Sequence, residues 1–130
     1  MTTTRSDARS VSRRAAQKEP PGPVTLRHLQ TCRAALGSDR AVAVVLGVSP
    51  SQVSRWRAGQ VPDLDNADRL AGLALVVEML GRWLPPEAIE GWLNGQNAHL
   101  SDLKPGYLIR LGRVADVIGA IESEKAGVYA

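Results

Sequence analysis

Val42-Ala43-Val44-Val45-Leu46-Gly47-Val48-Ser49-Pro50-Ser51-Gln52-Val53-Ser54-Arg55-Trp56-Arg57-Ala58-Gly59 reads as two short helices hinged at a glycine. Ser38 can cap a first helix, Asp39 to Leu46, whose apolar positions are Val42, Ala43, Val45 and Leu46. Gly47-Val48-Ser49 turns the chain, and Pro50 suits the first position of a second helix ending near Ala58, before Gly59. Ala43 is small where the helices would cross closely, and Gly47 permits the positive φ that a tight turn needs. Leu46, Val48, Val53 and Trp56 face inward and hold the crossing angle. These are fold positions, not contact positions.

The outward positions of the second helix carry the functional reading. Ser51, Gln52, Arg55 and, less centrally, Ser54 sit off the buried stripe. Near the start of a recognition helix such side chains reach base edges in the major groove. Gln pairs bidentately with adenine and Arg with guanine, each worth about 1–3 kcal/mol of discrimination. Ser49 and the first free amides of the helix suit a phosphate, and Arg57 suits the nucleic-acid backbone. The alternative is a helix pair that serves only as a packing unit, its polar side chains merely solvated. One such unit covers a half-site, so useful operator affinity implies a homodimer or a larger assembly.

The charge distribution favours the nucleic-acid reading. From Met1 to Gln60 there are ten Lys and Arg against three acids, a charge of +7. From Val61 to Ala130 there are six against ten, a charge of −4. A basic front half suits a polyanion and an acidic back half does not, so the two halves are expected to face different partners.

Outside the decisive stretch the pattern stays helical. Leu26, Leu29, Arg33 and Leu36 follow three-to-four spacing from a Thr25 start, with Gly37 as a stop. Before them, residues 1–23 mix Arg5, Arg9, Arg13, Arg14 and Lys18 with small polar residues and end in a proline cluster, which predicts a disordered basic arm. After Gly59, Asp63 or Asp65 can cap a long helix reaching Trp83, and Leu70, Leu73, Ala74, Val76, Val77, Leu80 and Leu84 cover most of its circumference. A helix apolar nearly all round is a central beam. Pro85-Pro86 breaks it. A short helix carrying Ile89, Trp92 and Leu93, a turn at Asn94-Gly95-Gln96-Asn97, another short helix from Pro105 to Leu111, and a last helix from Arg113 to about Lys125 complete the chain. No alternating strand pattern of useful length occurs, so the predicted fold class is all-α.

Other classes fit poorly. The strongly apolar run Leu70 to Leu80 is broken by Gly72 and Glu78 and is too short to span a bilayer. The first thirty residues hold no apolar signal core, and the lone Cys32 suits a reducing compartment, so a cytoplasmic location is expected. His28 and Cys32 lie four apart and could seat two metal ligands, but with His99 they do not make a site of assured ligand number. No phosphate-cradling glycine loop or Ser-His-Asp arrangement can be assembled, Glu122 and Glu124 read as solvated surface, and neither an enzyme nor a bound cofactor or metal is expected.

The carboxyl-terminal half resembles a known family. Trp92-Leu93-Asn94-Gly95-Gln96-Asn97-Ala98-His99-Leu100, then Lys104-Pro105-Gly106-Tyr107-Leu108-Ile109, then Gly112-Arg113-Val114-Ala115-Asp116-Val117-Ile118, is similar to the toxin-binding domain of the Xre/MbcA/ParS antitoxins. The preceding helix pair resembles their Xre-like helix-turn-helix. Two departures stand out: Gln96 precedes Asn97 where the family usually has Pro, and Ser101-Asp102 replace a pair of glycines. The resemblance implies an antitoxin against a RES-domain toxin that consumes NAD, which also binds its own operator and represses its operon. It also implies that the carboxyl end reaches the toxin's active-site cleft, a role that falls on Gly127, Val128, Tyr129 and Ala130 as a short tail after the last helix.

The expected organisation is therefore a basic arm (1–23), a helix-turn-helix DNA-binding region (24–60), a central helix (61–84) and a small helical toxin-binding domain (85–130). The expected partners are a cognate RES-domain toxin and operator DNA, in a homodimer or a toxin–antitoxin hetero-oligomer, with no membrane. The rival is a stand-alone transcriptional repressor whose carboxyl half only dimerises.

Overall fold

Short polar side chains and prolines set most of the helix starts. The computed structural model describes residues 23–129, with side chains over 24–127. Helix α1 (Pro23–Leu36) begins on a proline, which belongs in a first turn because its missing N–H would have no partner there. The expected Thr25 start is thus two residues late, and the rest of the predicted arm lies outside the described residues. Helix α2 (Asp39–Leu46) is capped by Ser38, whose hydroxyl accepts from the Ala41 amide at 3.1 Å. Helix α3 (Pro50–Ala58) is capped by Ser49, and α4 (Leu64–Gly81) by Asp63, which accepts from the Asn66 amide at 2.9 Å. The sequence left Asp63 and Asp65 open as caps; the structure uses Asp63.

Helix α5 (Pro86–Asn94) follows the proline pair, a 3₁₀ helix spans Ala98–Leu100, and α6 (Pro105–Arg110) and α7 (Val114–Tyr129) end the described chain. No strand occurs among the described residues, so the architecture is all-helical as expected. The last helix is longer than its apolar stripe predicted. Gly127 does not stop it, and Gly127 to Tyr129 belong to α7 and not to a tail beyond it.

The buried residues form one continuous core. Leu70, Leu73, Ala74, Val76, Val77 and Leu80 of α4 lie at its centre, as an all-round apolar helix requires. Helix α1 runs against α4 with Leu29, Cys32 and Leu36 buried, while α7 packs on α4 with Val117, Ala120 and Ile121. Helix α6 joins early and late parts of the described residues by packing on α2, α4, α5 and α7. Gly106 makes this approach possible: a Cβ there would stand 3.1 Å from the Leu93 carbonyl oxygen and 3.2 Å from Val45 Cγ1. The segments separated by sequence reading therefore share their walls.

Candidate nucleic-acid and partner interfaces

Helix α3 presents one buried and one open side. Val53 and Trp56 are buried, whereas Ser51, Ser54 and Arg55 are exposed and Gln52 is half-buried. The Arg55 guanidinium donates to Gln52 Oε1 at 3.1 Å, so these two side chains meet on the open side. Ser49 Oγ accepts from the Gln52 amide and lies 3.1 Å from Ser51 Oγ. That amide is already occupied by its cap. Beside α3, Gln52, Gln60, Asp63 and Asn66 border an open groove of about 410 Å³ floored by Trp56 and Pro62. The floor is apolar and the rim can both donate and accept.

Arg57 stands apart from that set. Its Nε and Nη2 donate to the two oxygens of Asp39 at 3.1 and 2.6 Å, and its side chain is only 28% exposed. A bidentate pair of this kind fixes orientation as well as distance. Asp39 lies in the first turn of α2, where its charge also favours the helix dipole, and Arg33 approaches it at 3.9 Å. The guanidinium expected to meet a nucleic-acid backbone ties the end of α3 to the start of α2.

The turn between α2 and α3 is held from far along the chain. Gly47 has φ +73° and closes α2, with the Val48 amide reaching back to the Ala43 oxygen at 3.0 Å. Arg110 of α6 donates through Nε to the Val45 oxygen at 2.9 Å and through Nη2 to the Val44 oxygen at 2.7 Å. Carbonyls in the last turn of a helix have no partner further along it, so a cation is favoured there. A Cβ at Gly47 would meet Arg110 Cδ at 2.8 Å. The glycine is needed for its φ and also for the stem of this arginine. Sequence reasoning missed Arg110, since a partner 65 residues away leaves no local pattern.

The carboxyl side is organised around Asn97, a buried polar residue. Its Oδ1 accepts from the His99 amide at 2.9 Å, its N–H donates to the Leu103 oxygen at 3.1 Å, and its oxygen accepts from the Asp102 amide at 2.9 Å. Ser101 and Asp102 adopt φ 57° and 65°. Both lie in the left-handed region, and Asp is among the residues that tolerate it best. Trp92 Nε1 donates to Glu124 Oε2 at 2.6 Å, so Glu124, expected as free surface, fastens α7 to α5.

Of the expected partner-contact residues, Gly127 is exposed on the last turns of α7, Val128 and Tyr129 continue that helix, and Ala130 lies outside the described residues. A second open surface was not foreseen. Val44, Leu103 and Tyr107 are exposed, Val44 at 52% and Tyr107 at 44%, and line a groove of about 580 Å³ with Lys104 and Arg110. Exposed large apolar groups gathered in one groove mark a surface for another molecule more often than scattered ones do.

Cys32 is buried under α4, and desolvation, reinforced by the nearby Glu78 charge, pushes its thiol from 9.0 up to about 12. Such a thiol is a packing group at neutral pH. Among the described residues no cluster of His, Cys, Asp and Glu could hold a metal, and no helix is long and apolar enough to cross a membrane.

No family model matches the chain. The mycobacterial cidal antitoxin MbcA of Mycobacterium tuberculosis (strain ATCC 25618 / H37Rv) is 36% identical over 89 residues, covering 68% of this chain and 79% of the relative. A protein of the same strain named probable mycobacterial cidal antitoxin Rv3188 is 36% identical over 88 residues, covering 68% and 76%. In three dimensions the chain is similar to one in the crystal structure of the M. tuberculosis MbcT–MbcA toxin–antitoxin complex, with a TM-score of 0.65 and 31% identity. That match covers 79% of this chain and 95% of the other.

Proposed function

The chain belongs to the MbcA family of antitoxins, and on that premise we propose that it neutralises a cognate toxin by direct binding and represses its own operon. The toxin is a RES-domain enzyme that consumes NAD, and the antitoxin acts by covering its active site. The observation that carries this reading is the kinship with a chain solved in complex with its toxin, over nearly the whole of that chain.

The proposed toxin contact is the carboxyl end: Gly127, Val128 and Tyr129 enter or border the cleft as the end of α7, together with Ala130. A helix end is a stiffer probe than a free tail, since its backbone order is already fixed before binding. The proposed DNA contact is the open side of α3. Gln52 and Arg55 read bases, Ser51 and Ser54 flank them, and Ser49 sets the start of the helix. Arg57 serves DNA binding indirectly, by holding α3 against α2 through Asp39. Residues 24–60 would thus face the operator and residues 85–130 the toxin, with residues 61–84 joining them. Reading a two-part operator needs a homodimer or a toxin–antitoxin hetero-oligomer.

Co-expression with the product of the adjoining gene tests this directly. The expected result is rescue of growth, co-purification of the two chains, and loss of NAD consumption in the complex. A neighbour that stays toxic, or that elutes free of this chain, refutes the antitoxin role. Footprinting of the purified complex on the upstream promoter tests the repressor role separately.

A further inference from the structure

Helix α3 is joined to α2 by only Gly47, Val48 and Ser49, so any rotation of the last turn of α2 passes directly into α3. The far end of α3 is fixed by the Arg57–Asp39 pair. Its near end depends on what holds the turn. Arg110 grips the Val44 and Val45 carbonyls, and its stem fills the space beside Gly47 that a side chain would otherwise take. The arginine is itself well anchored. Leu108 and Ile109 beside it are buried, and Gly106 brings the start of α6 against α2 and α5. A planar guanidinium on a rigid helix fixes two consecutive carbonyls in direction as well as distance.

We propose that Arg110 is a positioning residue for DNA reading: from α6 it sets the angle at which α3 presents Gln52 and Arg55. This rests on the DNA-binding role proposed above. Arg110 need not touch nucleic acid to govern specificity, because base recognition by paired hydrogen bonds fails with small errors in approach.

The test uses the full chain and two variants. Arg110→Met keeps an unbranched stem beside Gly47 but has no donor, and Arg110→Lys keeps the charge without the planar fork. Binding is measured by quantitative footprinting and gel shift on the chain's own promoter and on a scrambled fragment of equal length. Arg110→Met is expected to lower the ratio of promoter to scrambled affinity about tenfold or more. Binding to the scrambled fragment and the helical circular dichroism should persist, and Arg110→Lys should recover part of the ratio. A merely structural role would lower both affinities together and leave the ratio unchanged, which overturns the proposal. Should Arg110→Met fail to fold, Arg110→Lys decides on the same ratio: a partial fall supports the proposal and an unchanged value overturns it. An unaltered chain that does not distinguish the two fragments refutes the DNA reading itself. An unaltered chain that discriminates, with variants that discriminate equally, refutes only the role of Arg110.

Discussion

Gly47→Ala offers the sharpest check on how the turn and Arg110 work together. At φ +73° a side chain costs about 1–2 kcal/mol, because Cβ crowds the backbone in the left-handed region. The new Cβ would also lie 2.8 Å from Arg110 Cδ and 3.0 Å from its Nε, so this side chain must shift, at the expense of the two hydrogen bonds that its guanidinium makes. Hydrogen bonds from charged donors contribute about 1.5–3 kcal/mol each when enclosed; with this pair partly open to water, about 2 kcal/mol for both is a reasonable figure. Gly47→Ala should therefore cost about 3–4 kcal/mol in the unaltered chain, but only about 1–2 kcal/mol once Arg110→Ala has removed the obstructing stem. The four proteins of this cycle, unfolded in urea with helical signal as readout, should give a coupling energy of about 2 kcal/mol. Costs that add to within about 0.5 kcal/mol would mean that Arg110 moves aside freely. The clamp would then have no mechanical hold on the turn.

Four further outcomes are expected. Arg55→Ala should weaken operator binding by about 1–3 kcal/mol and relax base preference at one position, whereas an unaltered footprint and affinity would remove it from the reading set. Deleting residues 127–130 should weaken toxin inhibition and spare operator binding; inhibition of full strength by the shortened chain would exclude the carboxyl end from the cleft. Ser101→Gly should stabilise the fold by about 0.5–1 kcal/mol by relieving the left-handed backbone at φ 57°, less the added freedom of the unfolded chain, and a lower urea midpoint would contradict this. Cys32 should resist iodoacetamide in the folded protein at pH 8 and react on denaturation. The unfolded thiol loses its proton near 9.0 and the folded one near about 12, so its contribution to stability is constant below 9.0 and drains away as pH rises towards 12. Rapid alkylation of the native chain, or no alkaline loss attributable to Cys32 on comparison with Cys32→Ala, would count against that burial.

The legible parts of the fold are those written in short-range chemistry. Ser38, Ser49-Pro50 and Asp63 start their helices because a hydroxyl, a carboxylate or a missing N–H settles a first turn with neighbours three residues away. The inward set of Val53 and Trp56, and the outward set of Ser51, Ser54 and Arg55, followed from helical period alone. Pairings across the fold were hidden for the opposite reason. Arg57 and Asp39 are 18 residues apart, Trp92 and Glu124 32, and nothing in spacing says that either charge is spoken for. The last helix ran past Lys125, the end expected for it, since a single glycine at position 127 weakens a helix without ending it. The groove beside Val44 and Tyr107 joins α2 to α6 and exists only once those helices meet.

The shared core also limits how such a protein can change over generations. Because early and late helices wall in the same core, neither group can be traded for that of a cousin without leaving mismatched surfaces at the seam. Recombination between paralogues would damage both at once. Descent by gradual point replacement, with facing residues changing in step, is the route that this packing leaves open.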